Sequence, residues 1–152
     1  MELGLFDEVG EALRGLLPAG LGDVRCRARR YGLKVWFGGD VPAKEHYEAQ
    51  VIGASSVPDA VVLALEIGLH VEYPKEAENE TVLAHLLAGG AAWRTALGVE
   101  AEPGPFLGGR DDWRRVSETW ADPDLGDPGL AFEIAVRLTD YVTVLEPLRR
   151  AR

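Results

Sequence analysis

The chain predicts an α+β fold: a single domain over residues 1–152, with an antiparallel sheet of three to five strands covered on one face by helices. Three observations carry this. Runs that alternate polar and apolar residues are gathered between positions 24 and 73, helical stripes stand before and after them, and no repeat, low-complexity tract or linker divides the sequence. A length of 152 residues with 47% hydrophobic content is enough for one core without disulfide staples. The expected order is helix, four strands, helix, edge segment, helix, helix.

Leu5 to Leu17 reads as an amphipathic helix with Leu5, Val9, Ala12, Leu13 and Leu16 on one stripe and acidic residues in its first turns. Pro18 and Gly20 stop it. Val24 to Arg29 sets Val24, Cys26 and Ala28 against Arg25, Arg27 and Arg29, which describes a half-buried strand with an arginine outer face. Leu33 to Phe37 alternates again, and Arg30-Tyr31-Gly32 between them makes either a hairpin turn or the bend of one long strand. Gly38 to Pro42 has loop composition. His46 to Ile52 forms the next strand, with Tyr47, Ala49 and Val51 toward the core. Val61 to Tyr73 forms another through Leu63, Leu65, Ile67, Leu69 and Val71, and Pro74 ends it.

Glu76 to Leu97 reads as one helix with Val82, Leu86, Trp93 and Leu97 buried, although Gly89-Gly90 in its middle costs roughly 1 kcal/mol per glycine and can kink it. Val99 to Leu107 is interrupted by Pro103 and Pro105 and suits an edge strand or a packed loop. Trp113 to Ala121 is expected to be a short helix, since Trp113, Val116 and Trp120 share a helical face, which puts Arg114, Arg115 and Glu118 on its outer side. The last helix runs from about Gly129 to Arg150 on the stripe Leu130, Ile134, Leu138, Tyr141 and Leu145, with Pro147 bending or ending it.

Chemistry concentrates in two short segments of one pattern, His46-Tyr47-Glu48 and His70-Val71-Glu72. If both are strands of one sheet, His46, Glu48, Gln50, Glu66, His70 and Glu72 point to the same side. That polar sheet face is the candidate site. Its plainest form is a solvated surface on which Arg25, Arg27 and Arg29 pair across strands with Glu48, Glu66 and Glu72. Its functional form is an imidazole–carboxylate site for proton transfer or for a divalent ion. Trp36 falls on the same face beside Lys34. It reads either as a ligand or partner contact, together with Arg25, Arg27 and Arg29, or as core under a covering segment. A small-ligand pocket roofed by Trp36 and the Gly38-Gly39 loop is a further option.

Several classes are disfavoured. A net charge of −9 opposes general nucleic-acid binding. No apolar run reaches the roughly 20 residues that cross a bilayer, the lone Cys26 excludes an internal disulfide, and the start carries no signal segment, so a cytoplasmic chain is expected. His-Glu-x-x-His, cysteine pairs, Gly-x-Ser-x-Gly and phosphate loops are all missing, so no metal or other cofactor is expected. The order of elements is similar to that of small acidic secretion-chaperone-like α+β domains. This similarity covers most of the chain without a specific motif, and it implies binding of other polypeptides. The leading expectation is therefore a non-enzymatic protein-interaction module, chaperone-like or self-associating, whose partner is a protein or its own copy in a homodimer. The alternative is a small metal-dependent hydrolase using the His and Glu residues of the polar sheet face.

Overall fold

The computed structural model describes residues 4–39 and 43–152; Asp40, Val41 and Pro42 of the expected loop lie outside the described residues. Helix α1 (Leu5–Leu16) leads into strands β1 (Val24–Arg29), β2 (Gly32–Phe37), β3 (Glu45–Gly53) and, after a short 3-10 turn at Ala54–Ser56, β4 (Leu63–Val71). Then come α2 (Glu76–Ala88), α3 (Ala91–Leu97), β5 (Glu102–Pro105), β6 (Arg114–Ala121) and α4 (Leu130–Arg150). The strands form one antiparallel sheet of six, in the order β1-β2-β3-β4-β6-β5.

Period-two alternation fixes which way each strand faces. Leu33 and Val35, Tyr47 and Ala49, Leu65, Ile67, Leu69 and Val71, and Val116 bury on one side of the sheet. Against them pack Phe6, Val9 and Leu13 of α1, Leu86 of α2, Trp93 and Leu97 of α3, and Ile134, Leu138, Tyr141, Val142 and Leu145 of α4. The helices thus close one face, and His46, Glu48, Gln50, Glu66 and His70 of the central strands fall on the other. Cys26 is half-buried against the core side, where burial pushes its thiol pKa up. Among the described residues no helix is long and apolar enough to cross a membrane.

The segment expected to be a short helix at Trp113 to Ala121 is instead β6. Val116 and Trp120 share a face at strand spacing as well as at helix spacing, and the neighbouring ladder decides between them. Strand β4 has backbone donors and acceptors open on the side away from β3, and β6 satisfies them over Ala64–Val71. The expected long helix divides into α2 and α3. A Cβ on Gly89 would sit 3.1 Å from Leu148 of α4, and Gly90 turns to a φ of 73°, a conformation glycine adopts without strain. Helix α4 runs through Pro147 to Arg150, where Arg149 and Arg150 both bind the buried Glu146 and hold the last turn. Strand β4 begins two residues later than its apolar run, because the Asp122 carboxylate accepts the N–H groups of Val61, Val62 and Leu63 and keeps the first two outside the ladder.

Candidate metal centre

On the face away from the helices, cross-strand register arranges the polar side chains in rows. His46 stands opposite His70, and His70 opposite Arg115. In the next row Lys34, Glu48, Gly68 and Ser117 follow one another, and beyond it Gln50, Glu66 and Thr119. Gly68 is the bare position among them. A Cβ there would come within 2.2 Å of the Val116 carbonyl oxygen and 2.5 Å of Ser117 Cα. The absence of a side chain at Gly68 lets β4 and β6 lie this close in the row between His70 and Glu66.

A convergent cluster occupies this face. His46 Nε2 lies 3.0 Å from Glu48 Oε1 and 3.3 Å from Glu72 Oε2. His70 Nδ1 lies 3.2 Å from the same Glu48 oxygen and 3.4 Å from the same Glu72 oxygen. One ligand atom from each of the four residues lies within 4.8 Å of every other. A tetrahedron of ligands at about 2.0–2.1 Å from a central zinc-like ion has edges of roughly 3.3–3.4 Å, so the four nitrogen–oxygen edges are close to those of a coordination shell.

The outer nitrogen of each ring faces an oxygen. His46 Nδ1–H donates to the Ala43 carbonyl at 2.9 Å, which points Nε2 into the cluster, 3.0 Å from Glu48 Oε1. Glu66 Oε1 lies 3.1 Å from His70 Nε2, favouring a proton on that nitrogen and leaving Nδ1 to face the cluster. Glu66 is itself fixed: the Gln50 side-chain amide donates to one oxygen at 2.8 Å, the Ser117 hydroxyl to the other at 2.7 Å, and Arg115 donates to Ser117. His70 is fully buried, and neither of its ring nitrogens makes a well-aligned hydrogen bond despite the nearby oxygens. Its Nδ1 sits between two carboxylate oxygens, within ion-pair distance of both and aligned with neither.

Burial and charge act against each other here. Burial alone would strip the proton from His70; Glu66, Glu48 and Glu72 outweigh it and hold the imidazole pKa well above its usual range. His46 behaves the same way, with Glu48 and Glu72 overcoming burial. Burial works to raise Glu48, yet the two imidazoles hold it down at about 2, and they keep Glu72 well below the usual carboxylate range. Without an ion the cluster therefore favours two imidazolium protons among its carboxylates. A dication replaces those two protons with no change in the net charge of the buried site.

All six candidate face residues lie together, but not as a solvated surface. His46, Glu48, Glu66 and His70 are buried. Their carboxylates turn to imidazole instead of the expected arginines, because Arg27 is separated from Glu48 by Lys34. Trp36 is 4% exposed and donates to the Gly39 carbonyl, so it is core and not an open contact surface. Arg25, Arg27 and Arg29 stand on the exposed side of β1, away from the imidazoles. Sequence reading missed Ser117 and Arg115 with the β6 helix assignment. It also missed Phe106, whose ring stacks edge-on to His70 at 4.6 Å and to Trp113 at 5.2 Å, closing the site on the β5 side. Comparison with known protein families, curated proteins and solved structures gives no match.

Proposed function

We propose that this chain binds one divalent first-row transition-metal ion through His46 Nε2, His70 Nδ1, Glu48 and Glu72, and uses it as a metal-dependent hydrolase. The observation that carries the reading is the set of four nitrogen–oxygen edges of 3.0–3.4 Å among the four residues, with His46 Nδ1 held by the Ala43 carbonyl and His70 Nε2 3.1 Å from Glu66. The donor set selects the metal class. Two imidazoles disfavour magnesium and calcium, which take oxygen shells, and the lack of thiolate disfavours copper(I). A bound ion would supply Lewis acidity and, by expanding to a fifth position that holds water, would activate that water near neutral pH. The polypeptide-binding alternative drew on acidity, the lack of a catalytic motif and an exposed aromatic on the sheet; Trp36 is buried, which removes the last of these supports for the sheet face.

Calorimetric titration of metal-free protein with zinc or manganese tests the reading. One ion should bind per chain, and repeating the titration in buffers of different ionisation enthalpy should show release of about two protons. Affinity should fall as pH drops, by about tenfold per pH unit for each imidazole proton displaced. Glu72→Gln should weaken binding by at least about tenfold while the protein stays folded. Absence of stoichiometric binding, or binding indifferent to pH and to Glu72→Gln, would overturn it.

A further inference from the structure

Beside the centre, on the same face, lies a groove of about 340 Å³ whose walls include Arg27, Arg29, Arg30, Lys34, Glu48 and Gln50. We infer that this groove takes a phosphate monoester and presents its phosphoryl group to the metal; the inference rests on the reading of the centre as a metal site. The link is Glu48. Its Oε1 faces both imidazoles while its side chain also forms a wall of the groove. Arg27, Lys34 and Glu48 stand in one cross-strand row, and neighbouring strands are about 4.8 Å apart, so the cations begin one strand from a metal ligand. In the adjacent row Arg29 faces Gly32, and Gly32 faces Gln50. Gly32 contributes no side chain, and a Cβ there would crowd Gln50 Cβ at 3.2 Å, so the groove is open where its cationic walls meet.

The charge of this groove runs against that of the chain. The protein carries a net −9, yet among the described residues Arg27, Arg29, Arg30 and Lys34 have no carboxylate partner in an ion pair. Arg27 lies over the Trp36 ring at 5.8 Å and Arg30 over Tyr31 at 5.2 Å, contacts that orient a guanidinium without neutralising it. A concentration of unneutralised cations in an acidic protein focuses anions onto one place. Three arginines and a lysine exceed what one carboxylate needs, and guanidinium forks match phosphoryl oxygens. The groove volume suits a small ester. In the hydrolysis that follows, a water oxygen forms a bond to phosphorus, the ester P–O bond breaks, and the water proton ends on the departing alkoxide; no electrons are transferred.

The test measures inorganic phosphate binding to zinc-loaded and metal-free protein, and hydrolysis of p-nitrophenyl phosphate by the loaded form. Wild type should bind phosphate and turn over the ester. The double variant Arg27→Gln/Lys34→Gln should lose at least tenfold in phosphate affinity and in kcat/KM while binding zinc as wild type does. Zinc binding with no phosphate affinity, or with phosphate affinity unmoved by the double variant, overturns this inference and leaves the metal reading standing. Failure to bind zinc overturns the metal reading. In that case, phosphate binding to metal-free protein that the double variant abolishes still supports the groove as an anion site. Tight binding of a single-stranded oligonucleotide, with no turnover of the monoester, would overturn the assignment of substrate class.

Discussion

Replacing His70 by alanine should abolish stoichiometric metal binding and cost the metal-free fold about 3–5 kcal/mol, the range found when one partner of a buried ion pair is removed. Both effects follow from position. His70 is the fully buried member of the cluster, and its two nitrogens lie within 3.4 Å of oxygens from Glu48, Glu66 and Glu72. Without it, Glu66 keeps only Gln50 and Ser117 as partners and is a carboxylate with no exposure and no adjacent cation. Urea unfolding in the presence of a chelator measures the stability loss. His70→Gln separates the two roles, since its amide can still donate toward a carboxylate but offers no imidazole ligand. It should recover part of the lost stability and still bind zinc more weakly than wild type by more than the roughly 10–100-fold that removal of an outer-shell partner costs. If His70→Gln bound zinc normally, His70 would be structural only.

Gly68→Ala should have a comparable effect for a different reason. The methyl group would meet the Val116 carbonyl oxygen at 2.2 Å and Ser117 Cα at 2.5 Å, and both are backbone atoms of the neighbouring strand in the middle of the sheet. No rotamer change relieves that overlap, so β4 and β6 must separate. The expected cost is about 4 kcal/mol or more, in the range reserved for severe core or backbone disruption. The row it breaks carries Glu48 and Ser117, so any folded remainder should also lose metal affinity. Gly53→Ala is the matched control: its backbone has a φ of −69°, its nearest obstacle is Ser55 Oγ at 3.8 Å, and it should change stability by no more than about 0.5 kcal/mol. Equal denaturation midpoints for the two variants would contradict this account of Gly68.

Much of this arrangement was legible in the alternation of short segments. His46, Glu48 and Gln50 share a face through period two alone, as do Glu66, His70 and Glu72, and the antiparallel ladder that sets His46 against His70 needs no long-range information beyond pairing of adjacent strands. What alternation could not show was cover. Burial of the polar face depends on β6 and on Phe106 and Trp113, all of which come from the region after position 99. There Val116 and Trp120 satisfy helix and strand spacing alike, and only the open edge of β4 decides between them. With that segment read as helix, Ser117 and Arg115 had no route to Glu66, and the carboxylates appeared to need the β1 arginines as partners. The proposed metal ligands carry no sequence motif for a similar reason. Metal motifs are recognised within one segment, whereas these four residues come in pairs from two strand segments and converge only through cross-strand register.

The most direct test is the X-ray absorption spectrum of the zinc-loaded protein at the metal edge. The account predicts a five-coordinate shell of two imidazole nitrogens, two carboxylate oxygens and one water oxygen, all at about 2.0–2.2 Å, with one imidazole contribution lost in His46→Ala. A shell of oxygens alone, or a spectrum unchanged by His46→Ala and His70→Gln, would place the ion elsewhere and contradict it.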